Sequence, residues 1–390
     1  MQSALLKHNV QEFIKSNTYT DITALALQKN PFSGIAWPEV LNQVAARKKA
    51  EVKLPTWFAA NNIIYPSKVS VEQTSSEIAA KYKSSLISGN SLIDLTGGFG
   101  VDDFYFAKRV KNVLYCEINA ELSAIVAHNF EMLGVDNITC MPGDSLEILK
   151  LKNQKWDYIY IDPSRRHDGK GKVFMLKDCL PNVPALLNTY FEFTNTVLIK
   201  TAPLLDITAG LTELKWVKEI HIVAVNNEVK ELLWRLEKNF SGTPLLFAVN
   251  LTEDASEIFE TSLADAPEAH YSMPMQYLYE PNSAIMKSGA FNAVGIHYKL
   301  SKLHKHSHLY TSDTLIDFPG RRFKIDEQLP FQKQALKRYE GNKLNITTRN
   351  FLLSVAEIKK KWKIKDGGNT YAFFTTDLNG DKKVLFCTKV

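Results

Sequence analysis

From about residue 90 to 250, short apolar runs alternate with stretches whose apolar residues recur every three to four positions. The runs SLID (91–94), NVLYCE (112–117), a stretch ending near Met141, WDYIYID (156–162), TVLIK (196–200), EIHIVAV (219–225) and PLLFAVN (244–250) read as strands. Between them, Leu122, Ile125, Val126, Phe130 and Leu133 are spaced for one face of a helix over 119–133. This alternation predicts an α/β chain with a parallel, doubly wound sheet. Residues 1–65 read instead as helices, one opened by Asp21 and another carrying Pro38 in its first turn.

The polar residues that end the strands form a series: Asp94, Glu117, Asp144, Asp162 and Lys200. In such sheets ligands bind at the carboxyl ends of the strands, so all five belong to one edge. The first strand runs into a glycine loop, Gly97-Gly98-Phe99-Gly100, and then into a helix. Glycine lets backbone lie against a ligand, and the helix start adds free N–H groups. Glu117 follows Asp94 by 23 residues. A carboxylate at that tip is placed for a ribose hydroxyl pair. The loop itself, G-G-x-G, does not meet the dinucleotide fingerprint G-x-G-x-x-G.

With DLTGGFGVD (94–102), Glu117, GDSLE (143–147) and IDPS (161–164) in order, residues 70–250 resemble the class I S-adenosylmethionine-dependent methyltransferases. That resemblance implies a Rossmann-like sheet closed by an antiparallel pair, for which 219–225 and 244–250 are the candidates. It implies S-adenosylmethionine as cofactor, held by Asp94, Thr96, Gly97, Gly98, Gly100, Asp102, Glu117, Ile118, Asp144, Ser145 and Asp162. It further implies Asp162, Pro163, Ser164 and Lys200 as the groups at the transferred methyl, with Arg165 and Arg166 beside them for substrate phosphates. Base N-methylation is the first expectation, although Arg165 stands where an Asp-Pro-Pro-Tyr motif has its aromatic residue. Ribose 2′-O-methylation through Asp162 and Lys200 is the alternative, with Lys68 and Glu228 completing the set. C5 methylation ranks low, because Cys179 reads as lying inside a helix. A non-catalytic RNA-binding protein on the same fold is the remaining class.

Net charge of +5 is unevenly spread. From Lys299 onward there are 19 basic and 9 acidic residues, against 28 and 33 before it. A basic end segment points to an acidic partner, RNA first among them. Its β/α alternation, with NITTRNF (345–351) the clearest match, resembles a THUMP-like domain preceded by a ferredoxin-like piece. That implies structured RNA, tRNA or rRNA, and makes Arg321 and Arg322 candidate contacts. The expected domains are a helical one over 1–66, the methyltransferase over 67–252, a linker, a ferredoxin-like one over 275–317 and a THUMP-like one over 318–390.

Four scattered cysteines form no CxxC pair and suggest reduced thiols. His304, His306 and His308 would share a strand face, yet lack the acidic or cysteine partners of a closed metal site, so no metal is expected. No run of eighteen apolar residues occurs, and the reading is soluble and cytoplasmic, with no membrane partner.

Overall fold

The structure is a computed structural model that describes residues 2–66, 68–165, 175–253, 255–264 and 267–390. The chain divides into two units, Met1–Lys218 with Leu232–Ser241, and Glu219–Glu231 with Gly242–Val390.

The first unit begins with five helices: α1 (Gln2–Leu5), α2 (His8–Ser16), α3 (Ile22–Ala26), α4 (Trp37–Lys53) and α5 (Pro55–Ala59). Asp21 caps α3 by accepting from the Thr23 amide at 2.8 Å, and Pro38 sits in the first turn of α4. Their apolar faces bury Val10, Ile14, Leu25, Val40 and Val44 in one cluster. Two helices lead into the sheet, α6 (Lys68–Gln73) and α7 (Glu77–Ser85). Ser76 separates them by capping α7.

The sheet then alternates β1 (Gly89–Asp94), α8 (Val101–Phe106), β2 (Val110–Glu117), α9 (Ala120–Met132), β3 (Ile138–Pro142), α10 (Ser145–Lys152) and β4 (Tyr158–Ile161). A two-residue pair follows, β5 (Ser164–Arg165) and β6 (Cys179–Leu180), then α11 (Val183–Phe193), β7 (Thr196–Thr201) and α12 (Ile207–Glu213). The parallel order is β3-β2-β1-β4-β7. Strand tips Asp94, Glu117, Asp162 and Lys200 therefore share one edge, with Asp144 just beyond β3.

Two expectations change here. β8 (Val217–Val225) and β10 (Leu245–Leu251) are parallel to each other. The antiparallel strand is β9 (Glu228–Glu237), whose residues Leu232–Glu237 pair with β7. Its charged residues at 228, 230, 231, 235 and 237 hide the buried run Glu231–Trp234 from a reading by hydropathy. The stretch read as a linker holds β11 (Ser256–Ser262), antiparallel to β10 with only Phe259 buried. A single buried position per strand gives no alternation to read.

The second unit carries another sheet, from β12 (Tyr277–Pro281), α13 (Ser283–Ser288), α14 (Phe291–His297), β13 (Ser301–Lys302), β14 (Tyr310–Ser312), β15 (Gly320–Pro330), α15 (Lys333–Leu336), β16 (Asn345–Arg349), α16 (Val355–Trp362), β17 (Thr370–Thr376) and β18 (Lys382–Lys389). Its order is β13-β14-β12-β15-β18-β17-β16. The lysine-rich run 359–365 starts in the last turn of α16 and continues past its C-cap Lys363, and the buried side chains of that helix are Ile358 and Trp362. Ser354 and Glu357 start that helix with a reciprocal capping box.

Candidate active site

The edge is built from β1 outward. Asp94 Oδ1 accepts from the Thr96 amide at 2.7 Å and from its hydroxyl at 3.1 Å. Thr96 Oγ1 in turn accepts from the Asp162 amide at 2.6 Å, tying the tip of β1 to that of β4. The glycine loop is pinned to β2. Gly97 N donates to the Cys116 carbonyl (2.8 Å) and Gly98 N to Glu117 Oε2 (3.0 Å), while the Tyr115 hydroxyl donates to the Gly98 carbonyl (2.6 Å). A Cβ on Gly97 would collide with the Tyr115 ring. Gly100 takes φ +72° at the start of α8, over Phe130 and Val126. The loop is thus a fixed backbone cradle, with Tyr115 packed against Gly97 and Phe130 and Val126 against Gly100.

Below the cradle lie three carboxylates. Asp102 is ionised. Burial opposes its charge, but Lys83 Nζ at 3.1 Å from Oδ1, the nearby Lys200, and the Tyr160 hydroxyl at 2.8 Å from Oδ2 outweigh burial and hold the pKa low. Ser75 completes the group, donating to Asp102 Oδ2 (2.9 Å) and accepting from Lys83 (2.8 Å). Asp103 is 0% exposed and faces Asp94, itself 1% exposed. Burial and then the charge of Asp102 push Asp94 up to about 7, against the opposing pull of Thr96 and Asp103, while burial and the charges of Asp94 and Asp102 push Asp103 well above the carboxylate range. At neutral pH Asp103 keeps its proton beside Asp94. Asp94 is consequently a loop-shaping residue in this structure, with its carboxylate turned to Thr96 and Asp103 rather than to solvent.

The sign of the pH dependence follows. Both pKa values are higher in the folded chain than in the unfolded one, so folding takes up protons above the ordinary carboxylate range. The stability this pair contributes is complete below about pH 4 and falls as pH rises through about 7. Asp103→Asn supplies a permanent donor to Asp94 and should stabilise the fold by about 2 kcal/mol at pH 8. Its gain in melting temperature over wild type should shrink toward pH 5. A variant less stable than wild type at both pH values refutes a protonated Asp103.

Along the edge, Glu117 stands at the tip of β2 with Oε1 also accepting from Asn119 N (2.8 Å), and Ile118 beside it is 77% exposed. Asp144 is exposed and caps α10, accepting from Leu146 N and Glu147 N, with Ser145 the first helical residue. Asp162 is half-buried and ion-paired with Lys200, whose side chain is 13% exposed. Pro163 is buried and Ser164 exposed. Arg165 continues the backbone as β5, opposite Cys179. Arg166 lies outside the described residues, and Lys68 opens α6. Glu228 is in β9 and pairs with Lys230.

Cys179 is not in a helix as the sequence suggests. It is in β6, next to the continuation of β4, and it is fully buried. Lys83, Ser75, Tyr160 and Asp103 escape the sequence reading. The doublet Asp102-Asp103 is the one available signal, two adjacent acids opening an otherwise apolar helix.

In the second unit, Arg321 donates to Glu280 Oε2 (2.6 Å) and Arg349 to Glu280 Oε1 (2.9 Å), with the Glu280 side chain 4% exposed. Arg322 reaches Asp317 and the Ile316 carbonyl, each at 3.3 Å. The histidines do not line a strand. His304 and His306 sit in a turn, with the His306 amide on His304 Nδ1 (3.1 Å), and His308 stacks on Phe291. Among the described residues no set of three His, Cys, Asp or Glu is placed to hold a metal, and no helix is long and apolar enough to cross a membrane.

Comparison with known proteins adds the following. A family model for a ferredoxin-like domain matches residues 277–319, and one for a THUMP domain-like unit matches 320–389. The crystal structure of a Porphyromonas gingivalis W83 protein, provisionally assigned as a methyltransferase, aligns at 32% identity over 98% of both chains with TM-score 0.89. M. capricolum TrmK, solved with S-adenosyl-homocysteine, aligns at 16% identity over 42% of this chain and 68% of its own, TM-score 0.33. The M. jannaschii tRNA m1G37 methyltransferase aligns at 13% identity over 45% and 52%, TM-score 0.30. At those scores the last two decide nothing. No curated protein matches the sequence.

Proposed function

This chain belongs to the family of the Porphyromonas gingivalis protein, with its ferredoxin-like and THUMP-like segments, and from that premise we propose that it is an S-adenosylmethionine-dependent methyltransferase acting on a base in structured RNA. One observation carries the reading: carboxylates at successive tips of a parallel sheet stand around a glycine turn that is pinned to the second strand by hydrogen bonds.

The donor set suits the cofactor part by part. The free lone pairs of Glu117 suit a ribose diol. Exposed Ile118 offers a face for the adenine ring, and Asp144 and Ser145 an edge for its amino group. The loop from Thr96 to Gly100 and the first turn of α8 would take the amino-acid end. When bound, the cofactor supplies a methyl group already activated on a sulfonium. This chain must then position the acceptor in line and exclude water. Asp162 and Ser164 stand at the strand tip facing that position. Asp162, ion-paired with Lys200, can accept the proton of an exocyclic or ring nitrogen.

The Asp162–Lys200 pair also supports a second reading, ribose 2′-O-methylation, in which the lysine lowers the pKa of the hydroxyl. RNA as substrate, tRNA or rRNA, rests on the basic C-terminal segment and its THUMP-like match.

The test begins with calorimetric titration of S-adenosylmethionine into the full chain and into Glu117→Ala. Affinity should be micromolar in the first (about −8 kcal/mol) and at least ten-fold weaker in the second. Labelled methyl should then enter RNA, and nuclease digestion separates base from ribose products. A folded protein that binds no cofactor overturns the proposal.

A further inference from the structure

Away from the strand tips, a cavity of about 340 Å³ is lined by the helical N-terminal segment and residues 60–65. None of its lining residues takes part in the edge described above. At its buried side are Tyr65, 2% exposed, and Arg47. On its rim are His8, Glu12, Lys15 and Asn62, all exposed.

Two polar atoms of this lining are shut off from solvent and have no hydrogen-bond partner: the Tyr65 hydroxyl and Arg47 Nε. Buried polar groups are normally satisfied, so each such orphan calls for an explanation. Both atoms carry hydrogens to donate. The Tyr65 phenol stays protonated, since burial pushes its pKa up to about 12 against the opposing charge and close approach of the Arg47 guanidinium.

The pair is also held rigid. Gln43, one turn before Arg47 on α4, clamps the Tyr65 backbone by donating to its carbonyl (2.6 Å) and accepting from its amide (2.9 Å). Arg47 lies 4.3 Å over the Phe58 ring. Two fixed donors, one of them a cation, with Lys15 at the mouth, select an anion rich in acceptors. Glu12 on the same rim accepts hydrogen bonds and repels a bare anion. It therefore favours an anion carried on a group with hydroxyls of its own. The volume fits a small ligand of this kind.

We propose that this cavity is a sugar-phosphate site, in which Arg47 Nε–H and the Tyr65 hydroxyl donate to phosphate oxygens and Glu12 accepts from the sugar. The phosphate comes either from the RNA backbone or from a free sugar phosphate. The site stands whether or not the chain transfers methyl groups.

The test uses the full chain and ribose 5-phosphate, which lacks the adenine that would draw a nucleotide to the glycine loop. Calorimetry should show binding at about millimolar or better. Tyr65→Phe, which keeps the ring, and Arg47→Gln should each weaken it about ten-fold, as loss of a charge-assisted or buried hydrogen bond does. Competition by a short single-stranded RNA assigns the site to polynucleotide, and its absence assigns it to the free compound. Thermal melts and cofactor titrations on the same samples separate this site from the proposed transfer chemistry, because the variants should retain both. No binding of either probe to the wild-type chain, or equal binding by all three proteins, overturns the proposal.

Discussion

Lys83→Met is expected to destabilise the fold by about 3–5 kcal/mol, the usual result of removing one partner from a buried ion pair. Lys83 is 2% exposed and its partner Asp102 is 8% exposed. Without the lysine, Asp102 keeps the Tyr160 and Ser75 hydroxyls and the more distant Lys200. Those hydrogen bonds do not supply the lost charge, so the carboxylate must either stay ionised at a cost or take up a proton. Denaturant titration at pH 7 measures the loss. The double variant Lys83→Met with Asp102→Asn should recover much of it, since the uncompensated charge is then gone. A loss under about 1 kcal/mol in the single variant would mean that the pair is hydrated in solution and contributes no more than a surface bridge.

The second large effect is on turnover. Asp162→Ala should lower methyl transfer by two to four orders of magnitude, roughly the value of a positioned acid–base group. Cofactor affinity should change only a few-fold, because Glu117, Asp144 and the glycine loop remain. Lys200→Met separates the two readings of the acceptor. For a ribose hydroxyl, the lysine variant should be as inactive as the aspartate one. For a base nitrogen, it should lose about ten-fold, through the unsupported Asp162 carboxylate. Single-turnover rates at saturating cofactor distinguish these outcomes from a binding defect. Full activity in Asp162→Ala would remove the fourth tip from the chemistry.

The strand tips are legible in the sequence because parallel strands are continuous apolar runs and polar residues can only follow them. Asp94, Glu117, Asp162 and Lys200 stand out for that reason, and the cap at Asp144 adds the Asx turn. What lies beneath the edge is not legible. Lys83 occurs in EIAAKYKSS, where a lysine is the ordinary solvent-facing residue of a helix; only its contacts with Asp102 and Ser75 reveal that it points inward. Asp94 reads as a ligand from its motif, yet the fold turns its carboxylate toward Asp103. β9 is missed because its charged residues break the apolar pattern while the sheet still buries its middle. Cys179 is placed in a helix because the residues around it are helix formers, whereas pairing with the chain after β4 fixes it as a strand. In each case tertiary contact overrides a local preference.

Glu280 carries a consequence for descent. It lies in the segment matched as ferredoxin-like, while both arginines that neutralise it, Arg321 and Arg349, lie in the THUMP-like segment. The two segments also share a sheet, for Pro281 pairs with Gly320 across the boundary between them. A Cβ on Gly320 would strike the Glu280 carbonyl. Neither segment can be inherited or exchanged alone without stranding a buried carboxylate and opening a sheet edge. A swap of one segment between relatives should therefore cost stability unless the other moves with it, so the two are expected to behave as a single exchangeable block.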